Sequence, residues 1–406
     1  MSLVVAKFGG SSVASIEKIK TIAARVREMK IKGHDVVAVV SAMGDTTDDL
    51  IKMAGATGED LNSREMDMLL ATGEQQSAAL LALTLNNMGC PAISLTGWQA
   101  GIKSDASHNK AKINGIENCR IKKEIEAGNI VVIAGFQGIS PAGDITTLGR
   151  GGSDTTAVAL AASLQADRCM IFTDVDGVYT ADPRIVPEAR KLSRISYEEM
   201  LELAVLGAVV MQPRAVEVAL AYQIDVEVRC SFNNHPGTII TKEANMEKEV
   251  IVAGIAHDVN CARIAIFDVP DQPGVAKTLF KGLAAAGINV DMVIQAAMRN
   301  GRNDIAFTIG RDDLKKAVEV IGRLTEEIGA SGMTYGDDVA KVSIVGAGMQ
   351  TNPGVAADMF EALSDENINI HMISTSEIKV SCLIDKGCIE IAVRALHRKF
   401  DLDKID

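Results

Sequence analysis

Along the first 230 residues, short apolar runs alternate with segments of helical spacing. Leu3–Phe8, residues 35–41, 91–95, 130–136 and 169–173, and Val226–Cys230 are mostly β-branched runs and read as strands. Residues 16–29 and 74–86 bring their apolar side chains round at helical period. Such a βαβ rhythm predicts a mainly parallel sheet with helices on both faces. His235-Pro236-Gly237 breaks the rhythm, and the charged residues 242–249 read as a linker.

Beyond the linker the pattern repeats. Pro273-Gly274-Val275-Ala276 returns as Pro353-Gly354-Val355-Ala356, Phe280 as Phe360, Leu283 as Leu363, Ile288-Asn289 as Ile368-Asn369 and Met292 as Met372, always 80 residues on. Each copy reads as a strand, a Pro-Gly turn, a helix and a second strand starting at Asn289 or Asn369. Val275, Leu279 and Leu283 share one helix face, as do Val355, Met359 and Leu363. Two βαββαβ modules follow from this. The second copy leaves only a polar stretch, 399–406, for its last strand, while the alternating run 250–256 has no evident partner. The expectation is that this run completes the second module. The division is then 1–247, an inserted module at 264–336, and a second module formed by 250–263 with 337–406.

Composition narrows the function. A net charge of -12 argues against nucleic acid or an anionic membrane as partner. No basic leader precedes the first strand, and no apolar stretch is long enough to span a bilayer. The seven cysteines are scattered without a CxxC pair, which suits reduced thiols in the cytoplasm. The histidines show no ligand spacing, so no structural metal is expected.

Four turns lead towards helices, where free N–H groups face an anion. Lys7-Phe8-Gly9-Gly10-Ser11-Ser12 joins two glycines to a cation, although a Gly-Gly turn is also a plain tight turn. In 41–47, Thr46 suits an N-cap. Thr72 and Gln75 have capping-box spacing, which puts Glu74 in a first helical turn as either a ligand or a solvated carboxylate. Residues 146–156 carry a glycine-rich loop with Arg150 into a helix that Ser153 is placed to cap. Residues 173–184 follow a buried strand with acids, a tyrosine and an arginine, a set that fits either tight bends or a nucleotide site.

These segments carry a specific resemblance. Lys7-Phe8-Gly9-Gly10-Ser11-Ser12-Val13 resembles the opening signature of aspartokinases, and residues 149–157 and 173–184 are similar to two further motifs of that family. The tail repeat looks like its paired ACT regulatory modules, so the resemblance spans essentially the whole chain. It implies an α/β protein: a three-layer αβα amino-acid kinase sandwich with a mainly parallel sheet, then two ferredoxin-like ACT modules. It implies transfer of a phosphoryl group from ATP, with Mg2+, to the side-chain carboxylate of L-aspartate, giving 4-phospho-L-aspartate and ADP. That is the first step towards lysine, threonine, methionine and isoleucine. Lysine, threonine or both are the implied feedback effectors, and a homo-oligomer, dimer or larger, is implied through the ACT modules.

The same resemblance assigns the residues. Lys7 and Asp154 are the catalytic pair, with Gly9 and Gly10 at the phosphoryl group. Thr47, Glu74, Arg150, Gly151, Gly152 and Ser153 hold aspartate, and Ser41, Thr173, Asp174, Tyr179, Asp182 and Arg184 line the ATP site. Effector-facing positions are Asn289, Val290, Asp291 and Gln295, with Val355, Ala356, Asn369, Ile370, Ser376 and Glu377 in the second module. No metal ligand is assigned. Val209 stands where the family usually has a lysine, which removes one expected ATP contact. The alternatives are another kinase of the same fold or a catalytically silent amino-acid sensor.

Overall fold

The structure, a computed structural model, describes residues 2–58, 61–207, 210–242, 251–296 and 300–404. Val209 and most of the charged linker therefore lie outside the described residues.

An eight-stranded sheet forms the first unit, in the order Arg194–Ser196, Thr238–Thr241, Val226–Cys230, Arg168–Thr173, Leu3–Phe8, Asp35–Val40, Ile130–Ala134, Ala92–Leu95. From Val226–Cys230 to Ala92–Leu95 every pairing is parallel; Thr238–Thr241 turns antiparallel to Val226–Cys230, and the edge strand Arg194–Ser196 runs parallel to Thr238–Thr241. Strand alternation divides the core. Val4, Ala6 and Phe8 pack on Ile19 and Ile22 of the helix Ile16–Ile31 and on Leu81 and Leu85 of Ser63–Asn87. Val5 packs on the other side, against Ala157, Leu160 and Ala161 of the helix Gly152–Leu164. With a side-chain period of two, Lys7 follows Val5 to that second side.

One local expectation is overturned. The helix expected to start at Glu74 starts at Ser63, where the Asn62 side chain accepts from the Arg64 and Glu65 N–H groups. Thr72 is not a cap but lies mid-helix, its hydroxyl donating to the Leu69 carbonyl at 2.7 Å. A capping box is a local signal, and a threonine inside a helix bonds backward instead. A small sheet of Ile113–Ile116, Ile102–Ser104, Gln137–Ile139 and Ile145–Thr147 was not visible in the pattern of the sequence.

The tail forms one six-stranded sheet, ordered Val290–Gln295, Arg302–Gly310, Gly254–Pro270, Gly332–Val345, Lys379–Asp385, Ile370–Thr375. Its two long central strands each serve both repeats. Residues 261–270 pair with 302–310 in the first repeat, while 254–258 pair with 341–345 in the second. The repeat extends to backbone angles: Gly274 and Gly354 both have φ 104°, a left-handed value glycine adopts without strain, immediately before the helices Val275–Ala285 and Val355–Asp365. Ala181, Ile185, Val186 and Ala189 of the first unit enter the core of the second repeat beside Met359 and Leu396. The two units are thus joined by a shared apolar layer.

Candidate active site

The strand-end turns are tied to one another through their backbones. Gly9 N–H donates to the Phe172 carbonyl, Ser41 N–H to Phe8, Gly44 N–H to Gly10 and Gly135 N–H to Val40, all at 3.0–3.1 Å. At these carboxyl ends, where ligands of open α/β sheets bind, lies a cavity of about 570 Å³. Thr47, Glu74, Arg150, Gly151, Gly152 and Ser153 all line it, together with Lys7, Gly10 and Ser41.

Lys7 Nζ stands 2.5 Å from Asp154 Oδ1, and both side chains are about nine-tenths buried. The contact pairs an ammonium with a carboxylate in a site from which most water is excluded. Gly9 sits close under the ammonium: a Cβ there would come within 3.5 Å of Lys7 Nζ.

Glu74 is a buried carboxylate, 4% exposed, rather than the solvated first-turn residue the capping signal suggests. Its Oε1 accepts from the Ala42 N–H at 3.1 Å, and its Oε2 has no partner among the described residues. Burial pushes its pKa up to about 8, with the Ala42 hydrogen bond opposing. Gly73 lets the helix approach this closely, because a Cβ on it would lie 2.8 Å from the Ala42 Cβ. Gly73→Ala is expected to lower stability by about 1–3 kcal/mol despite its better helix propensity, as a thermal melt would show.

Two capping expectations fail here. The helix Gly152–Leu164 is entered through Gly151, at φ 70° and with no side-chain cap, and Ser153 lies inside the first turn, facing the cavity. Thr46 opens its helix without capping it and donates instead to the Met43 carbonyl. Gly151 is required on two grounds, its left-handed φ and the Gln212 side chain packed where a Cβ would be.

Several cavity residues escaped the sequence reading. Phe136 lines the wall at φ 69°, a strained conformation for a bulky side chain, held by Thr156 and by Leu148 N–H. Asn109 and Thr147 line it too, both bonded to Asp67, which is fully buried. The helical spacing of Asp67, Leu70 and Glu74 was the available signal; the misplaced helix start hid it.

The remaining assigned residues lie apart from this cavity. Thr173 ends the strand next to Leu3–Phe8, and its hydroxyl donates to Asp174. Tyr179 donates to Asp176 at 2.7 Å, and burial raises its phenol to about 12. Arg184 is bound to Asp182 through two nitrogens. In the tail, Asn289, Asp291, Gln295, Asn369, Ser376 and Glu377 are exposed and Val290, Ala356 and Ile370 partly so. Val355 is an exception: its side chain is buried in the second repeat, leaving only its backbone to meet a ligand. Asp291 forms an ion pair with Lys341, a buried lysine of the second repeat. Among the described residues no His, Cys, Asp and Glu cluster is arranged to hold a metal, and no helix is long and apolar enough to cross a membrane.

Residues 2–230 match the model of the amino acid kinase family, and residues 268–323 and 342–400 match that of the ACT domain. The chain belongs to the amino acid kinase family and carries ACT domains after its kinase domain. Aspartate kinase Ask_LysC of Stutzerimonas stutzeri is 50% identical to it over 405 residues, 99% of this chain and 98% of the relative. An aspartokinase of Geobacillus stearothermophilus is 50% identical over 402 residues, again 99% and 98% of the two chains. Within its family, then, this chain is one of the aspartokinases, the enzymes that phosphorylate aspartate. The fold is shared with E. coli aspartokinase III in complex with aspartate and ADP, at a TM-score of 0.83 and 24% identity, over 98% of this chain and 99% of that one.

Proposed function

We propose that the 570 Å³ cavity is the aspartate pocket and that MgATP enters from the Lys7–Gly10 side. The observation that carries this is Glu74, a buried carboxylate with one oxygen unpartnered among the described residues, facing the same space as Arg150. An α-amino acid satisfies both walls. Its ammonium meets Glu74, and a carboxylate meets Arg150 and the N–H groups of the Gly151–Ser153 helix start. The E. coli enzyme above holds aspartate and ADP in one structure and lysine with aspartate in another.

The attacking carboxylate is already ionised at neutral pH, so no general base is needed. The work is to align two anions and to stabilise charge on the phosphoryl group in flight. Lys7 supplies the cation, Asp154 holds it in place, and the Gly9-Gly10 backbone admits the phosphate. Thr173, Asp174, Tyr179, Asp182 and Arg184 belong to the nucleotide side, where Tyr179 packs against the core of the second repeat. Magnesium bound with the nucleotide would offset charge on the phosphates, and no residue of this chain is assigned to hold it. Aspartate, glutamate and acetylglutamate compared as substrates test this reading; turnover with glutamate equal to that with aspartate would overturn it.

The tail is read as the sensor, with residues 264–336 inserted into a module made of 250–263 and 337–406. Its effectors are lysine, threonine or both, and the protein works in the cytoplasm. The two outer strands, Val290–Gln295 and Ile370–Thr375, come together through Met292 and Met372 and expose Val293 and Ile373, apolar side chains suited to joining copies of the chain. Effectors act by preferring one of two conformations. Gln295→Ala and Asp291→Ala are expected to raise the half-inhibitory concentration of lysine, threonine or the pair at least about fivefold. Uninhibited turnover should stay within about twofold. Inhibition curves at fixed aspartate and ATP decide it, and unchanged curves would remove these residues from the sensor.

A further inference from the structure

We infer that Asp67 is a positioning residue for aspartate recognition, acting through the two segments it ties together; the inference rests on the cavity being the aspartate pocket. Asp67 lies seven residues before Glu74 on the helix Ser63–Asn87, hence on the same face two turns earlier. It is fully buried, yet among the described residues no lysine or arginine forms an ion pair with it. Instead its oxygens collect hydrogen bonds from the turn at 108–109 and from the end of the strand Ile145–Thr147, where the Arg150 loop begins. Oδ1 accepts from the Thr147 hydroxyl at 2.5 Å and from the Asn109 N–H at 3.0 Å. Oδ2 accepts from that same N–H at 3.1 Å and faces His108 Nδ1 at 2.7 Å.

Both segments are parts of the pocket wall. Asn109 and Thr147 line the cavity, and Thr147 leads directly into the Gly149–Ser153 segment that carries Arg150. Asn109 adopts φ 66°, a left-handed turn, and its carbonyl lies so near Gly149 that a Cβ there would stand 3.0 Å away. From the far side, Arg214 donates to the Leu148 carbonyl at 2.5 Å and to the Ala111 carbonyl at 2.8 Å. The Arg150 loop is therefore held from both sides, by a carboxylate beneath and a guanidinium behind. An isolated carboxylate is costly to bury, and here four hydrogen-bond contacts offset that cost. What they hold fixed is the distance between Glu74, on the same helix, and Arg150, on the tethered loop. That distance must match the span from the ammonium to the carboxylate of one amino acid, and a displacement of about 1 Å costs up to 100-fold.

The test compares Asp67→Asn and Thr147→Val with the parent and with Thr147→Ser, which keeps the hydroxyl donor. Aspartate KM is expected to rise about 10- to 100-fold in Asp67→Asn and Thr147→Val. In both, ATP KM and calorimetric ADP binding should change less than about twofold, and Thr147→Ser should stay near the parent. If Asp67→Asn does not fold, the isosteric Thr147→Val decides alone. Equal losses towards ATP and aspartate, or an unchanged aspartate KM, would overturn the inference. Arg150→Ala separates it from the pocket assignment. If Arg150→Ala leaves aspartate KM unchanged, the pocket reading fails; if it raises aspartate KM while Asp67→Asn and Thr147→Val do not, only the inference fails.

Discussion

Lys7→Ala is expected to lower turnover about 100- to 1,000-fold, corresponding to roughly 2.7–4 kcal/mol of lost charge stabilisation. The strand-end position of Lys7 would suggest a variant that folds normally. The structure argues otherwise. Lys7 is 9% exposed and pairs with Asp154, so its removal leaves a buried carboxylate without its cation. Breaking a buried pair from one side costs about 3–5 kcal/mol, whereas neutralising both partners can be nearly neutral. Loss of activity must therefore be separated from loss of fold. Lys7→Met combined with Asp154→Asn should recover most of the melting temperature and none of the turnover. A double variant that regained activity along with stability would mean that Lys7 matters only for folding. Single-turnover measurement at saturating ATP and aspartate isolates the chemical step from binding.

Glu74→Gln should raise aspartate KM about 30-fold or more, the effect of removing one partner of a buried charged contact. The larger signature lies in pH. With a pKa of about 8 in the free pocket, Glu74 is mostly protonated at neutral pH, yet it must ionise to receive an ammonium. Aspartate affinity should then strengthen close to tenfold per unit between about pH 6 and 7.5 and level off above 8. The glutamine variant should lose that slope. Stability moves the opposite way. The folded-state pKa is raised above the ordinary 4.5, so the folded chain holds the extra proton between those two values. Its contribution is fully present below 4.5 and is lost as pH rises through about 8, with a slope of up to about 1.4 kcal/mol per unit. Relative to Glu74→Gln, the parent should therefore lose melting temperature from pH 6 to 8.5, and saturating aspartate should restore it by keeping the carboxylate ionised. Parallel melting curves across that range would show that Glu74 is not the titrating group.

Much of this protein is set by local sequence. Apolar runs such as Leu3–Phe8 and Ile130–Ala134 can only be buried strands, and their alternation with helical segments makes the sheet parallel. The 80-residue repeat shows a duplicated module because matching Pro-Gly turns and helix faces recur in register. The glycine-rich turns that line the cavity were legible for a related reason. Turns with Gly-Gly, or with glycines around an arginine, are where a chain can approach an anion, and glycine's freedom is written in the residue itself.

What the tertiary structure decided were relations between distant segments. The Thr72–Gln75 signal is locally sound, but Asn62 caps the helix and carries it through Glu74, turning an expected surface carboxylate into a buried one. Lys7 and Asp154 are 147 positions apart, and only strand alternation together with the seating of Gly152–Leu164 brings them to 2.5 Å. Asp67 follows Glu59, Asp60 and Glu65 in the sequence, and its partners come from residues 108–109 and 147. Propensity and periodicity act over a few residues. Burial and the pairing of polar groups are settled only when the whole chain has packed, and those two effects determine which side chains carry chemistry.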